Sequence, residues 1–338
     1  MKTQTHHNQT FRSVPAHSKP LDTARLEKLF QQQLDLYKSN LKSSSDEYLT
    51  ALKTIPLGAH STFQSFDPYP ISIKSAKGAW MVDVDGRKML DLSMGFGSML
   101  VGHLNPLVMA ELKSTLDIGT LYTAPSPDSR DAAERLCRRF GIDQIRFTNS
   151  GTESTMYAVR TARAYTGKEG VVKVEGGYHG SGDALMVSTK PSLDKAGPED
   201  APNSVIGNAS VPGLSYVVPY NNIEALERVF EKHSATIACF IVEPVLENIG
   251  IVLPDEGYLE QVRELCDQYK IVLIFDEVKT GLTAGPQGAA QRLGVIPDLI
   301  CLAKSIGGGI PLAAFGGKSE FMKPVTDGRM PHLGTFNG

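Results

Sequence analysis

The chain has 338 residues, a formal charge of −3 and a charged fraction of 21% with both signs spread along it. That balance excludes a nucleic-acid footprint and a polybasic membrane segment, and no apolar run approaches the roughly 20 residues of a membrane span. The length suits a large core and two domains, and the four cysteines (Cys137, Cys239, Cys266, Cys301), none in C-x-x-C spacing, point to reduced thiols in a reducing, cytoplasmic compartment.

In chain order, residues 1–20 read as a disordered tail that weakly resembles an organelle transit peptide. Residues 22–55 predict a helix, with Leu26, Leu29, Phe30, Leu34 and Tyr37 at mostly helical spacing, broken by Pro56-Leu57-Gly58. Asp85-Gly86 signals a hairpin between two strand-like runs, and a Gly-rich connection leads to a helix over 106–117. Beyond it, strands and helices alternate. Strands are expected at 144–148, 171–174, 184–187, 215–218, 236–242, 271–275, 299–302 and 313–315, and helices at 152–165, 222–233 and 255–269. Residues 188–213 read as a long functional loop. The division expected is an N-terminal helix and hairpin segment over 21–105 and a large ligand-binding domain over 106–338.

Continuous apolar strands alternating with amphipathic helices predict an α/β fold with a mostly parallel central sheet flanked by helices. Ligands bind such sheets beyond the carboxyl ends of the strands, so the residues just after each strand are the candidates. Ser150-Gly151-Thr152-Glu153 opens a helix as a capping box, and its free N–H groups, two hydroxyls and a glycine suit a phosphate; alone, it reads equally as a plain capped helix. Tyr178 and His179 follow a glycine pair, where Tyr178 suits stacking on a flat ring and His179 suits donating to a ligand, or being structural. Glu243 and Asp276 end apolar strands; a buried carboxylate there calls for a cationic partner, either a bound pyridinium or a structural arginine. Lys304 ends the run Leu299 to Ala303 ahead of three glycines, where loss of water favours its free amine, the form that makes an imine. A phosphate cradle, a ring stacker, an acid and an amine are together the parts that pyridoxal phosphate requires. No G-x-G-x-x-G opens a helix after a strand, which counts against a Rossmann dehydrogenase.

Asn149-Ser150-Gly151-Thr152-Glu153, Gly177-Tyr178-His179-Gly180, Glu243-Pro244, Asp276-Glu277-Val278 and Lys304 with its glycines, in this order and spacing over roughly 55–338, resemble the class III aminotransferases among the fold-type I pyridoxal phosphate enzymes. The similarity is greatest to glutamate-1-semialdehyde aminomutase and its aminotransferase relatives. The resemblance implies that Lys304 forms the imine with pyridoxal 5'-phosphate and Asp276 pairs with the pyridine nitrogen. Val278 would pack on the ring, and Ser150, Gly151 and Thr152 would hold the phosphate. Tyr178 would stack on the ring, and Asn248, with Glu243 behind it, would stand near the ring hydroxyl. Thr335 in Gly334-Thr335-Phe336-Asn337 would reach the phosphate of a partner subunit, which implies a homodimer with shared sites. It further implies small-molecule amino donors and acceptors, with neither nucleic acid nor membrane as partner.

Three departures from the family pattern shape the functional reading. The family continues into a small C-terminal domain beyond the position of Gly338, so a fragment or a catalytically silent relative is one alternative. The substrate-side loop reads Pro56-Leu57-Gly58-Ala59-His60-Ser61 instead of P-G-G-x-N-S. The gating-loop position reads Ser188-Thr189-Lys190-Pro191-Ser192, and Lys279 stands where the aminomutase usually has Met. These favour an aminotransferase acting between an amino acid or amino ketone and a 2-oxo acid, with the intramolecular aminomutase as the alternative.

Overall fold

The computed structural model describes residues 22–189, 191 and 215–337; the expected tail and most of the expected loop at 188–213 lie outside the described residues. The chain divides into two compact units, one ending at Ala76 and resuming over Trp80–Leu90, the other comprising Lys77–Ala79 and Asp91–Gly338. Residues 91–105, grouped by the sequence reading with the N-terminal segment, fall in the second unit. There Gly78 and His103 exchange backbone hydrogen bonds and His103 pairs with Asp91 at 2.7 Å.

In the first unit α1 (Thr23–Asn40) is capped by Asp22, whose side chain accepts from the Arg25 N–H. The single helix expected over 22–55 is in fact two. Leu41 is fully buried and leaves helical geometry (φ −127°, ψ 47°), and α2 (Lys42–Ala51) starts afresh. The restart has its own cap from a distant residue: Asp85 accepts from the N–H groups of Ser43 (2.7 Å) and Ser44 (3.0 Å). Asp85 thus does more than mark the turn joining β2 (Trp80–Asp83) to β3 (Lys88–Leu90), which with β1 (Ile73–Lys77) make a three-stranded sheet in the order β1-β2-β3.

The second unit runs α3 (Pro106–Leu116), α4 (Pro127–Phe140), β4 (Gln144–Thr148), α5 (Gly151–Thr166), β5 (Gly170–Val174), β6 (Ser215–Val218), α6 (Ile223–His233), β7 (Ile237–Val242) and α7 (Tyr258–Tyr269). It continues with β8 (Val272–Asp276), α8 (Thr280–Thr283), α9 (Gly288–Leu293), β9 (Leu299–Leu302), β10 (Ala313–Gly317) and α10 (Ser319–Thr326). Helix α4 went unforeseen although its signals were present: Ser126 caps it, Pro127 opens it and Gly141 ends it in the left-handed region at φ 65°. The strand expected over 184–187 does not form. Asp183–Leu185 is a 3-10 turn, and both edges of β5 are already taken, by β6 and β7. Leu185 and Val187 are nonetheless buried, which is why the segment reads as apolar.

The seven strands order as β4-β10-β9-β8-β7-β5-β6. Only β10 is antiparallel to its neighbours, so β4 and the other five strands all point their carboxyl ends to one edge. Alternate residues feed two cores. Cys239 and Ile241 of β7 face a cluster with Tyr157, Ala158 and Ala162 of α5, while Phe240 and Val242 face one with Phe230 of α6 and Val262 of α7. With helices on both faces every strand residue of β7 and β8 is buried, which explains runs that are apolar without alternation.

Candidate active site

At the carboxyl edge of the sheet lies a cavity of about 370 Å³, lined by residues that follow β4, β5, β7, β8 and β9 and by the segment that enters β10. Its size falls within the roughly 300–1,000 Å³ usual for small-ligand clefts. Ser150, Gly151, Thr152, Tyr178, His179, Glu243, Asp276, Val278 and Lys304 all line it. These residues are up to 154 positions apart in sequence, from Ser150 to Lys304, and only the parallel sheet brings them together.

Asp276, the last residue of β8, is 3% exposed. Its Oδ1 accepts from the Val278 N–H at 3.0 Å, and its Oδ2 stands 2.7 Å from Nδ1 of His179. An ionised carboxylate only accepts, so Nδ1 carries the proton of that bond. The side-chain partner that the structure gives this acid is therefore a histidine in the site, not an arginine behind it. His179 is itself held from the other side, since Thr155 Oγ1 donates to its carbonyl at 2.7 Å. Its Nε2 is buried without a hydrogen-bond partner.

Lys304 follows β9 and takes a left-handed backbone, φ 48°, strained for a residue with a long side chain. Burial pushes its ammonium below the usual lysine range; nearby Lys279 pushes the same way, while Asp276, Glu243 and Glu247 oppose. The outcome is an amine more readily neutral and nucleophilic. Packing leaves Gly309 no room for a side chain: at φ 102°, a Cβ would meet the Met99 sulfur at 2.6 Å.

At the start of α5, Ser150 accepts from the Glu153 N–H at 3.2 Å. The expected capping box is altered, because the Glu153 carboxylate reaches past Ser150 to the backbone N–H of Asn149 at 2.7 Å and its side-chain amide at 3.0 Å. Anchoring Asn149 this way leaves Ser150 exposed at the mouth of the cavity. A Cβ on Gly151 would lie 2.9 Å from Val278, so the glycine lets the helix terminus close on the Val278 side of the site. Glu243 accepts from the Tyr178 N–H at 3.0 Å and the Glu247 N–H at 3.2 Å, tying the tyrosine turn to the end of β7.

Two expected residues stand apart from the cavity wall. Asn248 donates to the carbonyls of Gly176 (2.9 Å) and Thr189 (3.1 Å) and does not line the cavity. Thr335 is exposed and does not line it either. Ser98, Thr155 and Leu312 line the cavity without having been singled out in the sequence. Thr155 had a signal, since it lies one helical turn on from Gly151 and Thr152 on the same face. Ser98 had none.

A sequence model of the family "Aminotransferase class-III" matches residues 63–338. The chain belongs to the class III aminotransferases. It is similar to the glutamate-1-semialdehyde 2,1-aminomutases of Methanocorpusculum labreanum (41% identity over 297 residues, 87% of this chain and 71% of that protein) and Salinibacter ruber (40% over 304 residues, 88% and 69%). Among solved structures it resembles an omega-transaminase from Sphaerobacter thermophilus (TM-score 0.85, 35% identity, 90% of this chain and 71% of that one). It also resembles a glutamate-1-semialdehyde aminomutase from Pseudomonas aeruginosa PAO1 (TM-score 0.83, 28% identity, 94% and 72%). The class III aminotransferase family works with pyridoxal 5'-phosphate, and one structural neighbour is a transaminase with that cofactor bound. The residues of this chain fit the cofactor: a helix N-terminus with hydroxyls for a phosphate, a buried carboxylate already oriented by a histidine, and a desolvated amine line one cavity.

Proposed function

We propose that this class III enzyme passes an amino group between an amino acid or amino ketone and a 2-oxo acid, with Lys304, Asp276 and Tyr178 as its catalytic residues. The observation that carries the reading is Lys304 and Asp276 in one cavity, the first partly buried and the second bonded to His179. When bound, pyridoxal phosphate supplies an aldehyde for an amine to condense with and a ring that draws electrons from the adjacent carbon.

Each residue then has a task. Ser150, Gly151 and Thr152 bind the phosphate through hydroxyls and helix N–H groups. Asp276 would stand by the ring nitrogen and favour its protonated form, and the His179 Nδ1–H bond orients that carboxylate. Tyr178 and Val278, which both line the cavity, would pack on the ring, and Glu243 fixes Tyr178 by its backbone. Lys304 would hold the cofactor through its amine, and the same Nζ, once free, would be the group that accepts and releases a proton in the site. Asn248 supports the site through the Gly176 carbonyl.

The second reading, glutamate-1-semialdehyde 2,1-aminomutase, is favoured by the identity to named aminomutases. Lys279, which lines the cavity, and the likeness to an omega-transaminase favour the first. Supplying glutamate-1-semialdehyde alone separates them. An aminomutase converts it to the 1-amino isomer without a co-substrate, whereas the aminotransferase stops until a 2-oxo acid is added. If neither protocol forms product, and borohydride traps no cofactor on Lys304, the silent alternative is correct.

A homodimer that brings Thr335 to the partner's cofactor phosphate belongs to the same proposal. It is supported by the exposed apolar side chains Leu92 (86%), Leu107 (80%) and Ile118 (68%) in the second unit. A cytoplasmic setting is supported by the free cysteines. No helix among the described residues is long and apolar enough to cross a membrane.

A further inference from the structure

Lys173, the last residue but one of β5, has no exposed surface, an unusual state for a lysine. Its Nζ donates to two backbone carbonyls, Gly177 at 2.8 Å and Val187 at 2.6 Å. Gly177 immediately precedes Tyr178 and His179, so one of the two bonds ends on the turn that carries both cavity residues. The other ends on a segment that contributes nothing to the cavity wall. Four further bonds tie the same two stretches, two directly and two through Asn248. The Gly176 N–H donates to the Ser188 carbonyl at 2.8 Å, Ser188 Oγ donates to Glu175 at 2.9 Å, and Asn248 bridges the carbonyls of Gly176 and Thr189. Ser188 is 1% exposed and held at φ 49°, a strained conformation for serine.

We propose that Lys173 is a positioning residue for the cofactor site: its buried ammonium staples the Gly176–His179 turn to the Val187–Thr189 segment and so sets the placement of Tyr178 and of His179 against Asp276. The chemistry requires an ammonium or amine at that spot. Two carbonyls buried side by side need donors, and water is excluded. A methionine of similar length fills the volume and leaves both carbonyls unpaired. Burial pushes the Lys173 ammonium down to about 7 while Glu243 and Glu175 pull it up, so the group retains two N–H donors on either side of neutrality. The staple therefore survives loss of the proton and fails only on loss of the nitrogen.

The inference rests on the reading that Tyr178 and His179 face bound pyridoxal phosphate, and the test separates the two. Wild type, K173M and S188A are stripped and titrated with pyridoxal phosphate. The readouts are the dissociation constant, the induced circular dichroism of the bound cofactor, borohydride trapping on Lys304 and the melting temperature of the apoprotein. K173M is expected to trap on Lys304 but to bind at least tenfold more weakly, with the dichroic band at least halved. S188A, which removes the neighbouring Ser188 Oγ–Glu175 bond between the same stretches and keeps Lys173, is expected to shift both in the same direction by about threefold, and tests the tie between the two segments should K173M not fold. Affinity and dichroism equal to wild type in the variants that fold, even with a lower apoprotein melting temperature, reduce Lys173 to a structural residue and overturn the proposal. Absence of any adduct on wild-type Lys304 overturns the cofactor-site reading itself, and the proposal with it.

Discussion

Two buried aspartates in the second unit, Asp276 and Asp298, are each 3% exposed and lie at opposite ends of neighbouring strands. Asp298, just ahead of β9, accepts from the Leu273 N–H at 2.8 Å and pairs with Arg263 at 3.1 Å and, more distantly, Lys318 at 3.8 Å. Every partner is part of the scaffold, and the ion pair locks α7 to the sheet. Asp276, at the carboxyl end of β8, has one histidine and one backbone amide, and opens on a cavity beside a lysine. Equal burial of the same residue type therefore does not distinguish an acid held wholly by the scaffold from one that faces a cavity. What distinguishes them is whether the permanent partners saturate the carboxylate.

Substitutions sharpen that contrast. Lys304→Ala is the largest: activity should fall by about four orders of magnitude or more, with no borohydride-stable cofactor adduct at that position by peptide mapping. Asp276→Asn should lower turnover by about 10²–10³-fold with little change in urea denaturation midpoint. Arg263→Met should do the reverse. It leaves Asp298 charged, buried and without its main partner, and should destabilise by about 3 kcal/mol in urea unfolding while cofactor affinity stays within about twofold. If Arg263→Met weakened cofactor binding more than Asp276→Asn does, the distinction between the two acids would collapse.

A pH series tests the desolvation of Lys304. Its folded pKa is depressed, so between that value and the ordinary lysine value the unfolded chain binds more protons, and stability rises with pH across this window. Urea unfolding of apo wild type and apo Lys304→Ala should show wild type gaining on the variant as pH rises toward 10; a constant difference contradicts a desolvated amine. The smallest effect expected is that of Glu277→Gln. Glu277 is buried beside Asp276 but caps α9, accepting from the N–H groups of Ala289 (2.6 Å) and Ala290 (2.9 Å). Its loss should cost about 1 kcal/mol of stability without touching turnover, measured by melting and assay together.

The strand-end residues of the site were legible because a parallel sheet repeats one rule: apolar run, then ligand-side residue. Lys304, Asp276 and Glu243 each obeyed it, while Ser150, after the alternating strand β4, was legible from its helix cap. Lys173 was hidden within a strand that read as simply apolar, since its partners are carbonyls, and carbonyls leave no mark on a sequence. The false strand at 184–187 shows the complementary error, where burial alone produced the same apolar run that pairing would have.

The sequence by itself determined the α/β class, the strand-end candidates and the class III resemblance, because local periodicity and motif spacing are properties of the chain in one dimension. Only the tertiary structure decided that Asp276 answers to His179 while Asp298 answers to Arg263, that Asn248 braces the Gly176 carbonyl away from the cavity wall, and that Lys173 staples the Tyr178 turn. The two acid pairs join residues 97 and 35 positions apart, and the other two contacts run from a side chain to a backbone carbonyl, so the order and direction of the strands rather than local pattern fix their geometry.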